Sequence, residues 1–309
     1  IFYNYDDENQ GHEANWNDCS SSSSLCTEHP FTGTCNQVSN TNTKFGVSCL
    51  AKGINCIDTD TYYYSYLPTL GVQAGQCEPL REWDCHVNTS FGVYKRSSAC
   101  KISGNNHIAV SNTLEITGTV KDMNHLITIS AASGKRHFYI NGVNSKLTLR
   151  FLKLAGGNLY NWMSDAYVAD GETVRGGSIY TSSSGTLALY STILYNNSAY
   201  RGGGIFANGI LKIFKTSIVN NSALYGSGIQ MVGAEATITE SNISNNCLSQ
   251  YYGGLLIVRS NVNIQNSTIA NNKAERRGAG LGITADSNGP SNVHLTQCTI
   301  KNNQVTTTE

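Results

Sequence analysis

The chain has 309 residues, a formal net charge of zero and a charged fraction of 14%, against roughly 25% in an ordinary soluble domain. That balance gives no support to a nucleic-acid partner or an anionic membrane surface held by charge. No stretch approaches the ~18 apolar residues of a membrane-spanning helix, so no membrane insertion is expected. The length suits one large or two moderate domains, and the start at Ile1 fits a mature secreted chain or a piece of a longer one.

Residues 1–102 read as a cysteine-rich N-terminal domain. Eight of the ten cysteines fall there: Cys19, Cys26, Cys35, Cys49, Cys56, Cys77, Cys85 and Cys100. A dense, even set with irregular spacing and no C-x-x-C pair points to disulfides in an oxidising compartment rather than to zinc. Eight cysteines allow 105 pairings, among which sequence does not choose. Ile1, Tyr3 and Tyr5 alternate weakly as an edge strand or a frayed start, and Ser20–Ser24 reads as a polar loop. Tyr62, Tyr63, Tyr64 and Tyr66 read as packing in a stapled domain or as a binding face. Asp58 and Asp60 lack the glycine and distal glutamate of a calcium loop, so no metal site is assigned.

From residue 103 to 309 the pattern changes to short alternating runs: Ile108–Val110, Leu114–Ile116, Leu126–Ile129, Phe138–Ile140 and Leu147–Leu154. They continue without a linker into the repeats, so they read as earlier, less regular turns of one architecture. An insertion, NLYNWMSDAYVADGETV (Asn158 to Val174), is expected to project as a loop, and it holds Asp165, Asp170 and Glu172.

From Arg175 to Asn303 one unit is written five times. The aliphatic after the glycines falls at Ile179, Ile205, Ile229, Leu255 and Leu281, spaced 26, 24, 26 and 26. A second follows at Leu189, Ile213, Ile238, Ile264 and Leu295, spaced 24, 25, 26 and 31. Paired asparagines close each unit at Asn196, Asn220, Asn245, Asn271 and Asn302, with those same last four spacings. Such periodicity with period-two alternation inside each unit predicts an all-β, right-handed parallel β-helix, with about three strands per coil and 24–26 residues per coil. Asn197, Asn221, Asn246, Asn272 and Asn303 are expected to stack as an internal ladder, since asparagine tolerates the left-handed conformation and bonds to the amide above it. Gly203/Gly204, Ser227/Gly228, Gly253/Gly254 and Ala279/Gly280 mark a corner where side chains are crowded.

GGGI (Gly202 to Ile205) paired with IVNN (Ile218 to Asn221) resembles the GGAI and FxxN repeats of chlamydial polymorphic outer membrane proteins. More broadly it resembles right-handed parallel β-helices of the pectin-lyase-like class, over about residues 138–303. That resemblance implies a three-sheeted coil displayed outside the cell, with adhesin or surface-structure roles. The class also includes lyases, hydrolases and epimerases of acidic polysaccharides.

Three sets of outward residues remain. Sequons stand at Asn88, Asn196, Asn220, Asn242 and Asn266, the last four stepping at 24, 22 and 24 residues. N-linked glycans are therefore expected in a line down one edge. Arg175, Arg201, Tyr225, Tyr251 and Arg277 form a column whose planes could stack or hold a ligand. Tyr180, Phe206 and Leu256 are expected outward yet apolar, a contact surface. The column Ala188, Lys212, Thr237, Asn263 and His294 holds no carboxylate, so no catalytic residue and no cofactor are assigned. Cys247 and Cys298 lie in different columns and read as buried thiols or as intermolecular links. The open last turn is a template for pairing, so head-to-tail self-association is expected. The leading expectation is a non-catalytic extracellular structural glycoprotein building a filament; an adhesin or carbohydrate-binding module is the alternative, with a polysaccharide lyase or epimerase third.

Overall fold

A computed structural model describes residues 81–306, except 89, 105, 160–171, 248 and 286–288, and four short strands before them. Those strands form two antiparallel pairs: Phe2–Tyr3 with Glu13–Ala14, and Tyr62–Tyr64 with Cys77–Pro79. Residues 1–81 and 82–309 are two compact units. Residues 82–102, expected in the N-terminal domain, contribute strands to the second unit's parallel stacks. Gly92–Arg96 pairs in parallel with Thr113–Gly118, and Cys100–Lys101 with Ile127–Ser130.

The second unit is a coil of stacked parallel strands. Sheet A runs through Ile108–Val110, Phe138–Ile140, Ile179–Thr181, Ile205–Ala207, Ile229–Val232, Leu255–Val258 and Leu281–Thr284. In each coil the chain passes next into sheet B (for example Thr186–Tyr190 over Ile210–Phe214) and then sheet C (Ile193–Tyr195 over Ser217–Val219). Alternation sets the faces: in Lys146–Arg150, Leu147 and Leu149 point into the shared core and Lys146 and Arg150 away from it.

The repeats hold a fourth strand per coil, where about three were expected. Sheet D consists of Ser198–Arg201, Ser222–Tyr225, Ser249–Tyr251, Lys273–Arg277 and Gln304–Val305. Its inward residues are Ala199, Ala223 and Ala274, all buried. A methyl group fills the narrow corner between sheets C and A but carries too little apolar signal to read as a strand.

Two corners share one construction. Between sheets C and D, the first asparagine of each pair takes a left-handed conformation (Asn196 φ 53°, Asn220 φ 56°, Asn245 φ 55°, Asn271 φ 55°) and the second is buried. The two jobs expected of one asparagine are thus divided between neighbours. Asn197, Asn221, Asn246 and Asn272 donate from backbone N–H to the Oδ1 of the asparagine one coil on, at 2.9–3.0 Å. Each Nδ2 also donates to that same Oδ1 and to a carbonyl of the coil before; Asn246 Nδ2 reaches Asn272 Oδ1 and Ile218 O, both at 3.0 Å.

Between sheets B and C the same plan recurs with hydroxyls. Ser191, Lys215, Glu240 and Asn266 are left-handed, and the buried residue after each is Thr192, Thr216, Ser241 or Ser267. Thr216 N–H donates to Ser241 Oγ (3.1 Å) and Ser241 N–H to Ser267 Oγ (3.0 Å). Each hydroxyl in turn donates within its own coil, Ser241 Oγ to Thr239 O at 2.7 Å.

The glycine corner has two causes. Gly202 has φ 61°, whereas a Cβ on Gly228 would strike the carbonyl of Gly254 one coil on. The first is a backbone requirement of the turn, the second a close approach of stacked coils.

Candidate functional site

The two outward columns converge on the corner between sheets D and A. Tyr180, Phe206, Gln230, Leu256 and Gly282 lie in register on sheet A. Their inward neighbours, such as Ile179, Ile205 and Leu255, belong to the core cluster and they do not. The expected direction therefore holds, but the expected exposure does not: Tyr180, Phe206 and Leu256 are 1%, 1% and 4% exposed. Rings stack along the column, Tyr139 on Tyr180 at 5.1 Å and Tyr180 on Phe206 at 5.6 Å with planes 3° apart. Guanidinium groups lie over them, Arg136 at 5.4 Å from the Tyr180 ring and Arg175 at 4.9 Å from Phe206. An arginine from the neighbouring corner is long enough to cover an aromatic ring and gains a cation–π contact by doing so.

Arg175, Arg201, Tyr225, Tyr251 and Arg277 also stand in register. Arg201 lies over Tyr225 at 4.8 Å, Tyr225 stacks on Tyr251 at 5.1 Å and 10°, and Arg277 lies over Tyr251 at 5.5 Å. Tyr200 meets Tyr225 edge-on, and burial raises the Tyr225 hydroxyl pKa, with Tyr200 adding to it.

Between these columns a groove of about 510 Å³ opens over sheet A. Phe206 and Gln230 line it together with Arg175 and Arg201 from one corner and Asn208 and Arg259 from the other. Gln230 is 1% exposed, and its Oε1 has no hydrogen-bond partner, nor has the buried Oδ1 of Asn208. Sequence reading took Gln230 only as a member of a non-catalytic column; its place between Phe206 and Leu256 in an otherwise apolar series was the available signal.

Of the sequon asparagines, Asn88, Asn196, Asn220 and Asn266 are exposed and Asn242 is half-buried. They divide among places rather than forming one edge. Asn196 and Asn220 occupy the corner between sheets C and D one coil apart, Asn266 the corner between B and C, and Asn242 starts a strand of sheet C. Asn242 Nδ2 donates to Ser244 Oγ, the hydroxyl of its own sequon.

Cys85 and Cys100 are disulfide-bonded, with Cα atoms 6.5 Å apart. Cys19, Cys26, Cys35, Cys49 and Cys56 lie outside the described residues, as do Asp58, Asp60, Tyr66, Asp165 and Asp170; of Cys77 only the strand is described. Cys247 and Cys298 are unbonded and half-buried. Cys298 stands in the hydroxyl column, its thiol directed at Thr296 O (3.3 Å) as Ser241 Oγ is at Thr239 O.

Two histidines have strongly altered acidity. Burial holds His137 down at about 4, and its Nε2 lies 3.1 and 3.2 Å from the carbonyls of Ile129 and Ala155. Ser178 Oγ lies 3.0 Å from its Nδ1. A neutral ring donating from Nε2 satisfies this arrangement, so His137 joins coils as the asparagines do. His107 is also held at about 4, by burial and by the charges of Arg136 and Lys135. Among the described residues no cluster of three or more His, Cys, Asp or Glu side chains could hold a metal ion.

No protein-family model matches the chain, and no curated protein or solved structure matches it. The coil is all-β with stacked parallel sheets, as a parallel β-helix requires.

Proposed function

We propose that this chain is a non-catalytic, extracellular structural glycoprotein: a right-handed parallel β-helix rod of the kind its GG-I and I-x-x-N motifs resemble, which self-associates head to tail in a surface filament or matrix fibre. One observation carries the reading. In the last described coil the inward column is open: Ile283, Leu295, Ile300 and Val305 are 50%, 43%, 47% and 44% exposed, whereas their partners one coil earlier, Ile257, Ile264 and Ile269, are 0%. The strands that carry them form the terminal edges of sheets A to D. A further coil laid on these edges gains parallel pairing in four sheets at once. Covering four half-exposed aliphatics adds roughly 3–6 kcal/mol.

The self-complementary ladder chemistry supports a second copy as that coil. Asn303, at this end, presents the same Oδ1 that every earlier rung presents to the coil preceding it. Sedimentation and electron microscopy of the full chain over a range of concentrations test the reading. Rods that lengthen with concentration and are abolished by Ile300→Asp are expected. A monomer at every concentration, or rods indifferent to Ile300→Asp, would sink it.

A further inference from the structure

The groove over sheet A is independent of filament building. Its volume of about 510 Å³ falls within the ~300–1,000 Å³ of small-ligand sites. Its special feature is a mismatch of hydrogen-bonding groups. Gln230 Oε1 and Asn208 Oδ1, on successive coils, are buried acceptors with no donor. Buried acceptors are almost always paired in folded proteins, so two together in one groove point to a ligand that supplies the donors. Around them stand Arg175, Arg201 and Arg259, whose N–H groups seek oxygen acceptors, and the ring of Phe206. Nothing here requires the guanidinium groups to be unpaired, since the missing partners are donors and not anions.

Few ligand classes meet this combination. The ligand must donate at two adjacent points, accept at its edges and present an apolar face. A metal ion donates no hydrogen bond, and a simple inorganic anion at neutral pH accepts far more than it donates. A pyranose ring meets all three needs, with adjacent hydroxyl donors, ring and hydroxyl oxygens as acceptors, and a C–H face. The Arg201–Tyr225–Tyr251 stripe is less suited to it, because the Tyr225 and Tyr251 rings already stack on each other.

We propose that this groove binds a sugar residue, with Gln230 Oε1 and Asn208 Oδ1 accepting from two of its hydroxyls and the arginine rim favouring a carboxylated ring over a neutral one. Arg175 lies over the Phe206 ring, so binding swings that side chain off the floor.

Calorimetric titration of the full chain with methyl glucoside and, separately, with methyl glucuronide tests the site. Saturable binding of one sugar per chain is expected, tighter for the glucuronide. Gln230→Leu is expected to weaken it at least tenfold. Leucine occupies the same column one coil on, at Leu256, so this variant keeps the packing, and a thermal melt verifies that it folds. Asn208→Ala is the second variant, expected to act in the same direction from the other side of the groove. Saturable binding of either sugar that both variants weaken supports the site; preference between the sugars assigns the acidic or the neutral ring. Failure of both sugars to bind, or binding that both folded variants leave unchanged, overturns the proposal, whatever the outcome for filament assembly.

Discussion

Two sets of buried carboxamides in this molecule have opposite fates. At the corner between sheets C and D, each asparagine from Asn197 to Asn272 is enclosed and has its donors and its acceptor paired. On the outer face of sheet A, Gln230 is as deeply enclosed, yet its carbonyl is unpaired. The difference is periodic supply. A side chain repeated in every coil meets its own copy about 4.8 Å away, which both donates and accepts. Gln230 stands between Phe206 and Leu256 in its column, and neither can donate. Burying a polar group is tolerable in a solenoid when the repeat supplies its partner, and a polar group placed once must find that partner elsewhere.

Breaking the satisfied set should have the largest effect. Asn246→Ala leaves the backbone N–H and Nδ2 of Asn221 without their acceptor and strips a donor from Asn272 Oδ1 and from Ile218 O. Two buried donors unpaired at about 1–3 kcal/mol each, plus the lost bonds, predict a loss on the order of 3–5 kcal/mol in urea unfolding. A loss under about 1 kcal/mol would mean that water or relaxation repairs the ladder.

Acid probes the same principle through His137. Its folded pKa, about 4, lies below the ordinary value of about 6.5, so the folded state binds this proton less readily than the unfolded one. Its contribution is therefore complete above about pH 6.5 and lost as pH falls towards 4. A difference of ~2.5 units corresponds to roughly 3 kcal/mol. Unfolding followed from pH 7 to 4 should show a decline that His137→Gln reduces, with His107, lowered likewise, contributing the remainder in the same direction.

The smallest effect has the opposite sign. Gln230→Leu removes an unpaired buried carbonyl and should raise stability by about 1 kcal/mol in the absence of ligand. A thermal melt showing destabilisation would mean that the Gln230 amide holds the groove together and that the two sets are less different than they look.

Much of the interior was legible because its signals repeat. Ile179, Ile205, Ile229 and Leu255 mark the core in sequence and in space, and the expected rungs from Asn197 to Asn303 are those that hydrogen-bond. The hydroxyl ladder was equally periodic, with Thr192, Thr216, Ser241 and Ser267 spaced 24, 25 and 26. It went unread because serine and threonine before a strand look like an ordinary turn. Sheet D escaped because alanine is a weak apolar marker. The groove was hidden for a different reason: alternation tells which way Phe206 and Gln230 point, but the reach of Arg175 from another corner depends on the coil's cross-section.

Register and residue count are separable in this fold. From Ile205 to Leu255 successive coils take 24 and 26 residues, whereas Asn272 and Asn303 are 31 apart yet bond as neighbours. The extra residues of that coil fall between Thr284 and Asn292, at the turn from sheet A to sheet B, whose strands on either side keep strict pairing. That turn is thus a docking port for foreign sequence: an epitope or a reporter peptide inserted there would be held at a fixed height on the rod while every hydrogen-bonded row beneath it stays aligned.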